Sequence, residues 1–386
     1  MGDNTLVLDC LGYERNRAFG FNEYLFNLLD YFYVNRTELQ YDKIVIACQK
    51  SQYESFDKYK DKFIIKCSKL AENYIGKLVV MTGISFWLRL SKNDTVLFPG
   101  NYSGLLKRNK HVLVIHDLLY KRPELMRNRA MQRQRELFIP LSVKLADKVI
   151  GISDFTAEDI KKYFPDNKHK VVSIYNYMNL GKYGLPHSAE DDGMYFLTVT
   201  NAWHKDWATL FRAFDNYVKA GGTRKLVVVG RIEQNVFSQD AYNAISEKAR
   251  SMVIAKRAIS NEEMGYLYRH ASCYISTSLF EGFGMPIAEA MFFGLPVFLA
   301  DIQVHREISM GMGEYFAPKD DAALLDLMLH SDYSRKGYQR IIAGKYDGDH
   351  TSKKYVDLLN QLVEASPNIQ RGGVIFDYNL ILRRVA

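Results

Sequence analysis

The 386 residues hold only four cysteines, Cys10, Cys48, Cys67 and Cys273, with no C-x-x-C spacing among them. Neither a disulfide framework nor a cysteine-built zinc site is indicated, and since two of them end apolar runs, free core thiols are expected. Long apolar runs are also lacking, for none approaches the roughly 20 residues needed to span a bilayer. The opening MGDNTLVLDC has no basic region followed by an apolar signal core, so a cytoplasmic chain is the expectation. There is no bias toward Pro, Gly, Ser or one charge sign of the kind that marks disorder; 47% of residues are hydrophobic and 25% charged, as in ordinary globular proteins. A net charge of +7 suits an anionic ligand or an acidic membrane surface and selects neither. No nucleic-acid recognition module accompanies it, and basic charge alone is nonspecific, so nucleic acid is not an expected partner.

What is present is a rhythm. The runs TLVLDC (5–10), KIVIAC (43–48), TVLF (95–98), HVLVIH (111–116) and KVIGIS (148–153) alternate with helical stretches. Strands apolar on both faces imply a parallel sheet covered by helices. One such stretch, DFTAEDIKKYF, opens with Asp154 or Thr156 as its expected cap. A polar, turn-rich segment from Tyr175 to Gly193 breaks the pattern, which restarts with MYFLTV (194–199), KLVVVG (225–230), CYIS (273–276) and PVFLA (296–300). A chain of this length exceeds the usual single domain. We therefore read a doubly wound N-terminal domain over 1–180, a linker over 181–193, a second α/β domain over 194–365, and a tail over 366–386 that packs back on the first domain. In open α/β sheets ligands bind beyond the carboxyl ends of the strands, so substrate is expected in the cleft between the two domains.

The loop LFEGFGM joins the strand CYISTS to a helix PIAEAMFF. Pro286 suits the first helical position, where its missing N–H costs nothing. Gly282 and Gly284 permit close backbone approach to a ligand, and the free amides of a helix start attract phosphate. Glu281 precedes this corner and Glu289 lies about one turn into the helix. Taken alone, the two acids read equally well as ligands of one extended molecule or as a solvated loop acid and a helix-dipole partner.

The eleven residues EGFGMPIAEAM, from Glu281 to Met291, resemble the E-x7-E signature of retaining glycosyltransferases of family 4. The resemblance is densest from Met194 to Phe316. It implies a GT-B fold, two Rossmann-like domains with the acceptor in the first and a nucleotide sugar in the second. By the same resemblance Glu281 would bind donor-sugar hydroxyls, the backbone of Gly282, Phe283, Gly284 and Met285 would line the sugar and diphosphate, and Glu289 would hold the ribose. His116, in an HDL similar to the family's, would face the sugar near the reacting carbon, whereas a lone histidine at a strand end is more often structural. Asp117 would organise the loop.

Lys205 is the cation expected to neutralise the departing diphosphate, the largest electrostatic demand of the reaction; otherwise it is one solvated lysine among many. His204 beside it, Gly230 at the end of KLVVVG, Arg231 after it, and Gly20 before the first helix are secondary candidates; for Gly230 a simple turn, and for Gly20 a plain helix start, is a reading of comparable weight, and Arg231 is equally undecided. With Lys205 and helix amides in place of a cation, no metal and no cofactor is expected beyond the nucleoside diphosphate sugar. The acceptor would be a saccharide or lipid-linked saccharide. The basic run Lys121, Arg122, Arg127, Arg129, Arg133 and Arg135 reads as a solvated helical face, with docking on anionic lipid at the inner face of the plasma membrane as the sharper alternative. An epimerase or phosphorylase on the same architecture, or a non-catalytic nucleotide-sugar-binding subunit, are the rival functions.

Overall fold

The computed structural model describes residues 4–14, 20–126, 128–184, 195–199, 203–230, 232, 236–346 and 348–364. Two sheets appear. The first contains β1 (Thr5–Asp9), β2 (Lys43–Gln49), β3 (Ile64–Ser68), β4 (Thr95–Phe98), β5 (Lys110–Ile115), β6 (Lys148–Gly151) and β7 (Val171–Ser173), in the order β3-β2-β1-β4-β5-β6-β7. The second contains β8 (Tyr195–Val199), β9 (Lys225–Val229), β10 (Val253–Lys256), β11 (Cys273–Ser276), β12 (Val297–Ala300) and β13 (Glu314–Phe316), in the order β10-β9-β8-β11-β12-β13. Every pairing is parallel. The strand order reverses between β1 and β4 in one sheet and between β8 and β11 in the other, which puts a crevice at each switch point. This is the GT-B arrangement of two doubly wound domains.

The central strands are buried on both faces: β4, β11 and β12 have no exposed residue. Such burial demands unbroken apolar runs, and all nine central strands follow runs read from the sequence. The four edge strands β3, β7, β10 and β13 do not. β3, for example, alternates between exposed or half-buried residues before one buried serine, because helices cover an edge only in part. The helix Asp154–Tyr163 is capped by neither expected residue. Ser153 occupies the cap and its Oγ accepts from Thr156 N at 3.0 Å, since the strand ends at Gly151 and the turn begins earlier than the apolar pattern suggests.

The domains are laced together. The helix Gly348–Glu364, placed with the second domain on sequence grounds, packs against the first: Tyr355 and Tyr24, both fully buried, share a 2.7 Å hydrogen bond between hydroxyls. Tyr41 Oη donates to Leu359 O at 3.0 Å, and Asn360 bonds Gln40 N and Glu38 O. An apolar face of the helix draws it there, since Tyr355, Leu359 and Leu362 join the core built around the helix Gly20–Val34. The tail 366–386 and most of the segment read as linker lie outside the described residues. All four cysteines are free. Among the described residues no helix is long and apolar enough to cross a membrane.

Candidate active site

β8 and β11 are neighbours at the second switch point, so the loops that follow them meet. The first carries a 3-10 turn, Trp203–Lys205, and the second carries Glu281. They are stitched by bonds to main-chain carbonyls: Leu279 N donates to His204 O at 2.8 Å, and the Thr277 side chain, through Oγ1, to Lys205 O at 2.6 Å. Lys205 Nζ thereby reaches Glu281 Oε1 and forms an ion pair with it, both side chains more than four-fifths buried. Ser278 Oγ donates to the same oxygen at 2.8 Å. Ser276 Oγ stands 3.2 Å behind Ser278, with His305 Nε2 3.4 Å from Ser276. Burial draws the Glu281 carboxyl up, but the Lys205 charge and then His204 outweigh it and hold the group down at about 2, so it is a carboxylate at neutral pH. His305 is driven down to about 4 by burial; its Nδ1 donates to Ala300 O at 2.7 Å. Ser276, Ser278 and His305 were not anticipated. Serines in STS carry no spacing rule, and His305 is distant in sequence.

Gly284 begins the helix Met285–Phe292 with φ +95, a left-handed conformation that favours glycine. Pro286 is within the first two helical positions. Gly282 answers a different demand from ligand approach: a Cβ there would lie 1.8 Å from the His116 carbonyl oxygen. Its own carbonyl accepts from Ser153 Oγ at 2.7 Å and Thr156 Oγ1 at 3.0 Å. The glycine loop of the second domain is thus pressed against the first. Gly20 stands opposite, where a Cβ would come 3.0 Å from Met285 Cε.

His116 follows β5 and is buried, its ring against Phe21 and Tyr24 with centroids 4.3 and 4.9 Å away. Nε2 is 2.6 Å from Pro99 O, and because a carbonyl only accepts, Nε2 carries the proton and Nδ1 is the acceptor. Burial drives its pKa down to about 4, against the raising effect of Pro99, so the ring is neutral. Asp117 accepts from Leu119 N at 2.9 Å and pairs with Arg135 at 3.0 Å, which ties the loop as expected of it.

Glu289 is buried one turn into its helix. Tyr183 Oη donates to Oε1 at 2.8 Å and Tyr268 Oη to Oε2 at 2.7 Å, and Lys182 Nζ lies 3.8 Å off while pairing with Glu23 of the first helix. The carboxylate is therefore held by the interdomain crossing and keeps one lone pair on each oxygen. The tyrosines were not foreseen, because YGLP and YLYRH carry no motif. Of the remaining candidates, His204 is largely buried and its pKa is lowered by that burial, Gly230 N closes β9 by donating to Lys256 O at 2.9 Å, and Arg231 is outside the described residues. Of the basic run, Arg127 lies outside the described residues, and three of the other five are spent internally: Arg122 pairs with Asp159 at 2.7 Å and Arg135 with Asp117, while Lys121 lies 5.0 Å over Tyr120. Arg129 and Arg133 remain exposed.

Two comparisons bear on the class of protein. Residues 187–346 match the family model described as glycosyl transferases group 1. The fold is that of sucrose-phosphate synthase from Thermosynechococcus elongatus, with a TM-score of 0.73 over 94% of this chain and 100% of that one at 14% identity. Together they show a GT-B fold whose second domain is similar to group 1 glycosyl transferases. Among curated proteins, the serotype-specific mannosyltransferase WbdA of Escherichia coli is 28% identical over 236 residues, 55% of this chain and 29% of WbdA. The O-antigen chain mannosyltransferase RfbU of Salmonella typhimurium is 26% identical over 244 residues, 61% of this chain and 66% of RfbU. This chain thus spans less than a third of WbdA and just under two thirds of RfbU.

Proposed function

We propose that the chain is a retaining, metal-independent glycosyltransferase that moves a hexose from a nucleoside diphosphate hexose to a hydroxyl of a saccharide or lipid-linked saccharide during assembly of a bacterial surface polysaccharide. Mannose is the favoured sugar, because WbdA and RfbU are mannosyltransferases. The observation that carries the reading is the Lys205–Glu281 pair at the mouth of a helix opened by Gly284 and faced by the His116 loop.

Glu281, ionised and fixed by Ser278, accepts from the hydroxyls of the bound sugar. The diphosphate lies at the amides of the helix start, where the dipole favours an anion, and Lys205 stabilises the charge that grows as the C1–O bond to phosphate breaks. The acceptor oxygen bonds to C1 from the face the phosphate leaves, and its proton passes to a phosphate oxygen. His116, neutral with Nδ1 free to accept, orients a sugar hydroxyl without competing for the proton. Glu289 holds the ribose through its remaining lone pairs.

The test is turnover of UDP-, GDP- and dTDP-hexoses with a saccharide acceptor in EDTA, with the anomeric configuration of the product read by NMR. Retention with EDTA-resistant activity is expected, with Glu281→Gln reduced by about a hundredfold or more. Inversion, abolition by EDTA, or a glycosyl group trapped on Glu281 would each overturn the scheme.

A further inference from the structure

Of the fourteen large hydrophobic side chains exposed among the described residues, five fall between positions 70 and 86: Leu70, Tyr74, Ile75, Val79 and Phe86, from 52% to 74% exposed. Four of them, Leu70, Tyr74, Ile75 and Val79, line one surface. Ile75 and Val79 share a face of the helix Tyr74–Thr82 by their i, i+4 spacing, Phe86 is exposed on the short helix Ile84–Trp87 that follows, and the opposite side is anchored by buried Val80, Met81 and Ile84. Gly76 brings Leu70 alongside, because a Cβ there would lie 1.6 Å from Leu70 O. The result is a shallow depression lined by Leu70, Tyr74, Ile75 and Val79 with Asn73 and Gly76. An isolated exposed leucine needs no explanation, but a contiguous apolar patch does.

The charge of the surrounding stretch of chain selects the occupant. Between residues 66 and 92 there are five basic residues, Lys66, Lys69, Lys77, Arg89 and Lys92, against one acid, Glu72. Glu72 Oε1 is already engaged, accepting from Ser51 N at 3.0 Å. Lys66, Lys69, Arg89 and Lys92 are exposed. Apolar and aromatic side chains on a stretch of chain this rich in exposed cations match the interface of an anionic bilayer, where the rings sit at headgroup level and the cations meet lipid phosphate. The patch also borders the acceptor half of the cleft. Lys77, on the same helix, lies over Gly12 in the loop after β1, where a Cβ would be 2.4 Å from Nζ, and β1 flanks the first domain's switch point.

We propose that the helix Tyr74–Thr82 and the turn that follows dock the protein on an anionic lipid surface, in place of the basic segment 121–135. That the docked face presents the cleft to a lipid-linked acceptor rests on the function proposed above; the surface itself does not.

The full chain is floated with vesicles of phosphatidylglycerol and phosphatidylethanolamine, or of phosphatidylcholine alone, without any sugar nucleotide. It should float with the first and not the second. Ile75→Glu with Val79→Glu should lower the floated fraction by about tenfold or more, with the thermal midpoint and turnover of a soluble acceptor unchanged. Lys69→Glu with Lys92→Glu should weaken flotation while leaving the apolar face intact, and Arg129→Gln with Arg133→Gln should leave it unaltered. The proposal fails if wild-type protein floats with neither vesicle, if the Ile75/Val79 variant floats like wild type, or if only the Arg129/Arg133 variant is impaired. It fails also if wild type is a dimer that the Ile75/Val79 variant dissociates, since the occupant is then a second copy. Absence of turnover with every donor would sink the enzymatic reading and leave the flotation result standing.

Discussion

At the scale of single residues, the two glycines of EGFG answer to different physics. Gly284 is required for its backbone angle, and an alanine there costs about 1–2 kcal/mol of stability. Gly282 is required for the absence of a side chain, because its Cα position abuts the His116 carbonyl. We expect Gly282→Ala to push the two domains apart and reduce kcat/KM by about a hundredfold, while Gly284→Ala mainly lowers the denaturation midpoint. Steady-state kinetics and urea titration of the two variants separate these outcomes; equal kinetic losses would contradict the distinction. Glu281 and Lys205 could be singled out from the chain because each follows a strand run and sits beside a turn. Ser278, His305, Tyr183 and Tyr268 could not, since what makes them matter is the partner that tertiary folding brings within 2.7–3.4 Å.

Elements show the same division. A central strand must be apolar on both faces, so the runs at 5–10, 95–98 and 273–276 announce themselves, whereas β7 and β13 are three residues long and bond on one side only. Helix ends depend on neighbours too. The helix Asp154–Tyr163 takes its cap partly from the other domain: Glu307 accepts from Asp154 N at 2.7 Å and from Phe155 N at 2.8 Å. Glu307→Ala leaves both amides to water, and the expected loss is about 1–2 kcal/mol in chemical denaturation, with a weaker hold of the second domain on the first. No change in stability would mean that the contact is not maintained in solution.

At the scale of the whole molecule, buried histidines set the acid limit. His116 and His305 are driven down to about 4, and His111, fully buried, to about 3, in each case by burial first. Their ordinary value is near 6.5, so unfolding below that pH binds protons, and the stability they contribute is present above about 6.5 and lost as pH falls toward 4. Asp9 has the opposite sense, because burial lifts it to about 7 against its bond from Leu11 and the Lys77 charge, and it releases a proton on unfolding. The three rings outnumber it, and His204, also lowered by burial, adds to them, so unfolding takes up protons on balance near pH 5. Thermal midpoints measured from pH 7 to 4 should fall steeply; a flat profile would show that these rings are hydrated in solution. The chain by itself determined the parallel α/β layering and the E-x7-E loop, because both are written in local order as apolar runs and turn residues a few positions apart. Only the tertiary structure decided that Glu281 pairs with Lys205, that Glu289 is held by two tyrosines, and that the last described helix closes on the first domain. Those contacts join residues up to 331 positions apart, and no local pattern encodes which distant surface a buried hydroxyl or carboxylate will meet.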